Sequence, residues 1–177
     1  MPAQSSLEAK EQPQWIECNV LGVFVHPTRN TPIVFIGNED ESAVIPVWIG
    51  FLEAQAILFA WKHLDAPRPL TIDLLAALVR DDLHAKVMRI FIHTIKDGTY
   101  FADVEVKDRD GTVSVRDARP SDALALALRM DAPILVSTRV IHALQPETEN
   151  AKALLDFLRL ETEDGGGADL TEESSQA

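Results

Sequence analysis

The sequence predicts an α+β fold made of two β-β-β-α-α repeats, mixed or antiparallel sheets packed with apolar helices. Three observations predict it. Short runs of alternating apolar and polar residues come in groups of three, and each group is followed by apolar stretches of helical length. Asp97-Gly98 and Asp110-Gly111 punctuate the second group as hairpin turns. Asp65-Ala66-Pro67 recurs as Asp131-Ala132-Pro133, and at the same offset of 66 Thr71 meets Ser137, Phe35 meets Phe101 and Val47 meets Val113. The repeats span about 16–84 and 86–145, and chance agreement of common α+β parts is the competing reading.

In order, Ile16–His26, Pro32–Gly37 and Ala43–Ile49 read as strands, with Glu39-Asp40-Glu41-Ser42 as the polar turn between the last two. Gly50 opens a helix, Phe51–Leu64, whose apolar residues surround the axis. Such a helix is interior or meets another subunit, which predicts a homo-oligomer, a dimer or larger. Pro67 and Pro69 break it, and Thr71 is the expected N-cap of a helix over Ile72–Leu83. Strands follow at Lys86–Ile95, Thr99–Lys107 and Thr112–Arg116. In the second of these, Tyr100, Ala102, Val104 and Val106 share the core face, and Asp103, Glu105 and Lys107 the outer one. Pro120 starts a helix to Met130, where its missing N–H costs nothing. Ile134–Val136 is extended, Ser137 caps a helix over Thr138–Leu144, and the last helix, Glu147–Leu160, carries Ala151, Leu154, Leu155 and Leu158 on one stripe.

The length of 177 residues suits one domain, expected over 15–161 between a disordered leader, 1–14, and a disordered acidic tail, 162–177. No apolar run approaches the roughly 20 residues of a membrane span. The polar N-terminus is no secretory signal, and the lone Cys18 rules out an internal disulfide framework, so a cytoplasmic protein without membrane contact is expected. The net charge is −12, but six acids and no base lie between Glu161 and Ala177, so the body is only mildly negative. Bulk electrostatics therefore does not draw nucleic acid in, and any such contact must be local or metal-mediated.

The five histidines show no metal-binding spacing, and no phosphate-cradling glycine loop or nucleophile elbow is present. Asp103-Val104-Glu105-Val106-Lys107 resembles the acid-and-lysine strand of metal-dependent nucleases, yet a half-exposed strand alternates polar residues anyway and pairs them across strands. The junction Asp117-Ala118-Arg119-Pro120-Ser121-Asp122 is richer. It places two acids, an arginine and a serine at a helix start, where free backbone N–H groups attract anions. Its structural reading is also complete: Asp122 complements the helix dipole and Arg119 pairs with Asp117. Arg68 and Asp73 form the matching start in the first half, and Glu53 is a third acid, in the first turn of an otherwise apolar helix.

Four strings carry a family resemblance: Pro46–Ile57 (PVWIGFLEAQAI), Arg68–Leu75 (RPLTIDLL), Asp97–Tyr100 (DGTY), and Asp117–Leu128 with Ala132-Pro133-Ile134. In this order they resemble the bifunctional nuclease domain family, over roughly Trp15 to Leu144. The resemblance implies a mixed α/β domain, oligomeric assembly and nuclease activity on DNA and RNA. With the available acids it implies Mg2+ or Mn2+ held by Glu53, Asp73, Asp117 and Asp122, because hard divalent ions prefer oxygen. Asp73, Asp122 and Arg119 would act in catalysis, and Arg68, Arg119 and Ser121 would bind substrate. The family commonly has a histidine between the threonine and the acid of its second motif, and Ile72 here supplies neither base nor ligand. The alternative is a non-catalytic oligomeric regulatory module that binds a ligand or a protein through the loops around Arg68 and Arg119.

Overall fold

Alternating side chains fold the first part of the chain into an antiparallel meander of β1 (Trp15–His26), β2 (Thr31–Gly37) and β3 (Val44–Trp48). A second meander follows, β4 (Lys86–Lys96), β5 (Thr99–Lys107) and β6 (Val113–Ala118). These elements belong to a computed structural model that describes residues 14–163; nearly all of the expected leader and tail lies outside the described residues. A short strand, β7 (Ile134–Ser137), fills the gap between the meanders, antiparallel to β1 and parallel to β4. The result is α+β as expected, but with one seven-stranded mixed sheet in the order β3-β2-β1-β7-β4-β5-β6 rather than separate sheets. The five-element repeat is not confirmed, because residues 68–70, which lie at the repeat offset from β7, form no strand.

The sheet twists and curls enough that the end of β3 meets the start of β5 and the end of β6. There the Tyr100 hydroxyl donates to the Pro46 carbonyl at 3.0 Å, on an edge strand where proline offers no N–H to a foreign strand. The β4–β5 hairpin turns on Asp97 and Gly98 at φ 50° and 74°, the left-handed pair that a two-residue turn demands.

Helices α1 (Phe51–Trp61), α2 (Thr71–Ala77) and α3 (Pro120–Met130) pack with the sheet around one large core. α3 is the middle member, buried at Ala123, Leu124, Ala125, Leu126 and Ala127, and its alanines let its neighbours approach closely. α1 ends three residues earlier than expected because His63 turns left-handed at φ 53°. It is not wholly interior either: Leu52 is 80% exposed. The N-cap of α2 is Leu70, not Thr71, and the Asp73 carboxylate accepts the Leu70 N–H at 2.7 Å. Beyond Ala77 the helix widens into a π turn, Leu78–Asp82, instead of running straight to Leu83. Ser137 does cap α4 (Thr138–Ala143), its hydroxyl accepting the Arg139 N–H at 3.2 Å.

α5 (Gln145–Glu163) lies with β2 and β3 in a second core. Ala151, Leu155 and Leu158 of the expected stripe meet Ile33, Phe35 and Val44, with Leu154 beside them. Arg159 fastens the helix through two bonds to the Glu41 carboxylate, 2.9 and 3.2 Å. The Arg159 bond holds the Glu41 carboxyl below the usual carboxylate range. A depressed carboxylate stabilises the fold above its unfolded pKa of about 4.3, and that stability is lost as pH falls through the folded value. Glu41→Gln should lower the melting temperature by roughly 2–4 °C at pH 7, the equivalent of about 1 kcal/mol. The difference from wild type should vanish near pH 3. A gap that stays constant across this range in pH-resolved thermal melts would show that the pair does not anchor α5.

Candidate functional site

The twist that joins the sheet ends also sets two helix starts together. β3 passes through Ile49-Gly50 into α1, and β6 passes through Arg119 into α3. Each helix carries an acid at its third position, Glu53 in α1 and Asp122 in α3, where a carboxylate complements the helix dipole. Glu53 folds back over its own N-cap so closely that a Cβ on Gly50 would stand 2.4 Å from Glu53 Oε2. Glycine is what leaves that room. Arg119 bridges the two starts, with Nη1 donating to Glu53 Oε1 at 3.0 Å and Nε and Nη2 donating to Asp122 at 2.7 and 3.1 Å. The expected Arg119–Asp117 pair is thus replaced. Asp122 and then Glu53 hold the guanidinium pKa above its usual value, and its side chain is still 66% exposed.

This cluster borders a cavity of about 580 Å³ lined by Trp48, Glu53, Tyr100, Phe101, Asp117, Arg119 and Ser121, among others. Pro120 has no N–H and the Ala123 N–H is bonded to the Arg119 carbonyl, so the N–H groups of Ser121 and Asp122 are the ones left without a helical partner beside the guanidinium. Arg119 spends its donors on the Glu53 and Asp122 carboxylates, so an oxyanion would have to displace one of them to reach the fork.

A model of the bifunctional nuclease domain matches residues 34–149, and with them every residue of this cavity but Thr31. The chain belongs to the bifunctional nuclease domain family. Two relatives from Mycobacterium tuberculosis, "Uncharacterized protein MT1877" of strain CDC 1551 / Oshkosh and "Uncharacterized protein Rv1829" of strain ATCC 25618 / H37Rv, are each 36% identical over 125 residues, 71% of this chain and 73% of theirs.

Within this family fold the residues singled out from sequence divide. Glu53, Arg119 and Asp122 are in contact, and Asp117 and Ser121 line the same cavity. Asp73 does not join them. It pairs with Arg129, whose side chain is only 10% exposed and also donates to the carbonyls of Ala56 at 2.8 Å and Ala125 at 3.1 Å. Asp73 lines a different depression, of about 430 Å³, with His63 and Asp131. Arg68 is exposed on the loop before α2 and has no ion-pair partner among the described residues. The starts that meet are therefore those of α1 and α3, not of α2 and α3. Ile72, at the position of the family's histidine, packs against the main core, where an apolar residue is at home.

The four-carboxylate metal set fails on this geometry, since Asp73 is committed elsewhere. Among the described residues no three of His, Cys, Asp and Glu form a group that could hold a metal. Cys18 is buried, and that burial pushes its thiol up to about 12, so it is no nucleophile at neutral pH. On β5, Glu105 pairs with Arg89 at 3.0 Å and Asp103 with His93 at 3.5 Å, the cross-strand pairing that a solvated face requires.

Sequence reasoning passed over Gly50 as a contributor to the site, Arg129, and the aromatic walls Trp48 and Phe101. A signal for Gly50 was present: a glycine at an N-cap where Ser, Asp or Asn is usual, with a glutamate three residues on. Asp73 and Gly50 should respond differently to substitution. Asp73→Ala should cost roughly 1.5–3 kcal/mol in urea unfolding, because the largely buried Arg129 keeps its carbonyl bonds but loses its counter-charge. Gly50→Ala should cost less than about 1 kcal/mol, because only the flexible end of Glu53 must move. The reverse order of these two values would mean that Asp73 is not the structural carboxylate.

Proposed function

We propose that the chain hydrolyses phosphodiester bonds of DNA and RNA at the cavity between α1 and α3. The observation that carries this reading is Arg119, charged, exposed and held between Glu53 and Asp122 where two helices begin. Guanidinium donors match phosphate oxygens in pairs, and the adjoining helix end favours the same charge. Glu53, Asp117 and Asp122 outnumber Arg119 around the cavity, so a bare phosphodiester meets a net negative rim. Asp117 would hold Mg2+ or Mn2+ arriving with the substrate, and the ion's charge would offset this repulsion. When bound, the ion supplies Lewis-acid polarisation of a phosphoryl oxygen.

The chain's own residues supply the rest. Arg119 turns from Asp122 and Glu53 onto the phosphate. Glu53, released from Arg119, takes a proton from the attacking water, whose oxygen forms the new P–O bond as the opposite P–O bond breaks, and solvent protonates the leaving oxygen. Asp122 steadies the arginine before and after. The buried Cys18 thiol suits a reducing cytoplasm. Among the described residues no helix is long and apolar enough to cross a membrane.

Cleavage of single-stranded DNA and RNA oligonucleotides with Mg2+ or Mn2+ tests the proposal. Arg119→Ala and Glu53→Gln should each slow it by about 10²–10⁴-fold, Asp73→Asn should leave it near wild type, and EDTA should abolish it. Oligonucleotides left intact by the wild-type protein would instead support a non-catalytic binding module. We also propose a homo-oligomer, because Leu52, Leu74, Leu75, Leu78 and Leu83 leave an apolar surface on α1, α2 and the turn that follows. Light scattering at micromolar concentration should give a multiple of 19.6 kDa, and a single-chain mass would remove the assembly.

A further inference from the structure

The lining of the cavity also carries aromatic rings. Trp48, at the end of β3, and Phe101, in β5, come from strands far apart in the chain and face the same cavity as Arg119. They are 41% and 39% exposed, a large apolar area to leave in water with the core so near. Trp48 is held in place without any ligand. The His26 ring lies 5.6 Å from it, centroid to centroid, and the Arg29 guanidinium stands 4.9 Å over the indole. His26 is itself fixed by the Thr28 and Arg29 N–H groups, which donate to its Nδ1 at 3.2 Å each. Phe101 has no ring partner among the described residues, so it offers a bare π face.

We propose that this cavity seats one unpaired nucleobase on the aromatic walls of Phe101 and Trp48, with one flanking phosphate at Arg119 and the other at Arg29. The inference rests on the nucleic-acid reading above and adds the form of strand and the residues that select it. A base within a duplex keeps its faces on its neighbours, so only a base out of the stack can reach a phenyl ring in a cavity. A space of about 580 Å³ is ample for a single nucleotide. Stacking accepts every base and both sugars, so the seat makes no distinction between DNA and RNA. With a negative rim, stacking and not charge supplies most of the affinity. Two phosphate contacts on a single strand give a shallow salt dependence, a slope of log K against log salt of about −1.4.

Fluorescence anisotropy on the full chain tests this, with Ca2+ as the divalent ion. The probes are a fluorescein-labelled thymidine oligonucleotide, an abasic phosphodiester chain of the same length, and a blunt duplex. The thymidine strand should bind about 5- to 150-fold more tightly than the abasic chain or the duplex. Phe101→Ala and Phe101→Leu should each remove that advantage without changing abasic binding. The leucine variant keeps apolar surface, so its loss reports the ring and not the fold. Arg119→Ala and Arg29→Ala should weaken both strands alike and reduce the salt slope by about 0.7 each. Equal binding of thymidine and abasic strands by wild type, or undiminished base preference in Phe101→Leu, would overturn the seat. Denaturing gels with Mg2+ report hydrolysis separately. Base-dependent binding without cleavage overturns the proposed hydrolysis and leaves the seat, whereas cleavage with no base preference does the opposite.

Discussion

The cumulative twist of the sheet is the constraint on which the other features depend. β3 and β6 are the two edges of the seven-stranded sheet, and were it flat the helices that follow them would begin far apart. Twisted, the sheet brings both strand ends to one place, and Arg119 then joins two carboxylates that are 66 and three positions away from it. The bond from Tyr100 to Pro46 closes the same seam on the strand side. Charge pairing at the surface is worth little alone, so Arg119 does not hold the halves together. The apolar contacts of α1 and α3 do, and Arg119 reports that they have met.

Much of the secondary structure was legible because local chemistry dictated it. Asp97-Gly98 made its tight turn, Ser137 capped its helix, and the stripe Ala151, Leu155, Leu158 found its core. What escaped was set by distant parts of the chain. The four residues of β7 look alike whether they end a repeat or are inserted between two meanders, and only the gap between β1 and β4 decides. Thr71 lost the cap of α2 because Asp73, two residues later, satisfied the Leu70 N–H from within the helix.

The site was half legible for a related reason. Glu53, Asp73 and Asp122 all occupy the third position of a helix, where an acid is favourable whatever else it does. Sequence shows that preference equally for all three. Tertiary packing then separates them: Asp73 is turned to a largely buried arginine at the far end of α3, while Glu53 and Asp122 share one at the rim of a cavity. The residue that made the difference, Arg129, sits in a helical tail whose pattern gives no reason to look there.

That separation leaves α3 gripped by an arginine at each end, and the two grips are unequal. Arg129 is sheltered and tied to carbonyls of α1 and α3 as well as to Asp73, so added salt scarcely reaches it. Arg119 lies in water, where ions compete for the same carboxylates. Rising ionic strength should therefore strip the charge pairing from one end of the helix long before the other, while the buried apolar run between them keeps the helix where it is.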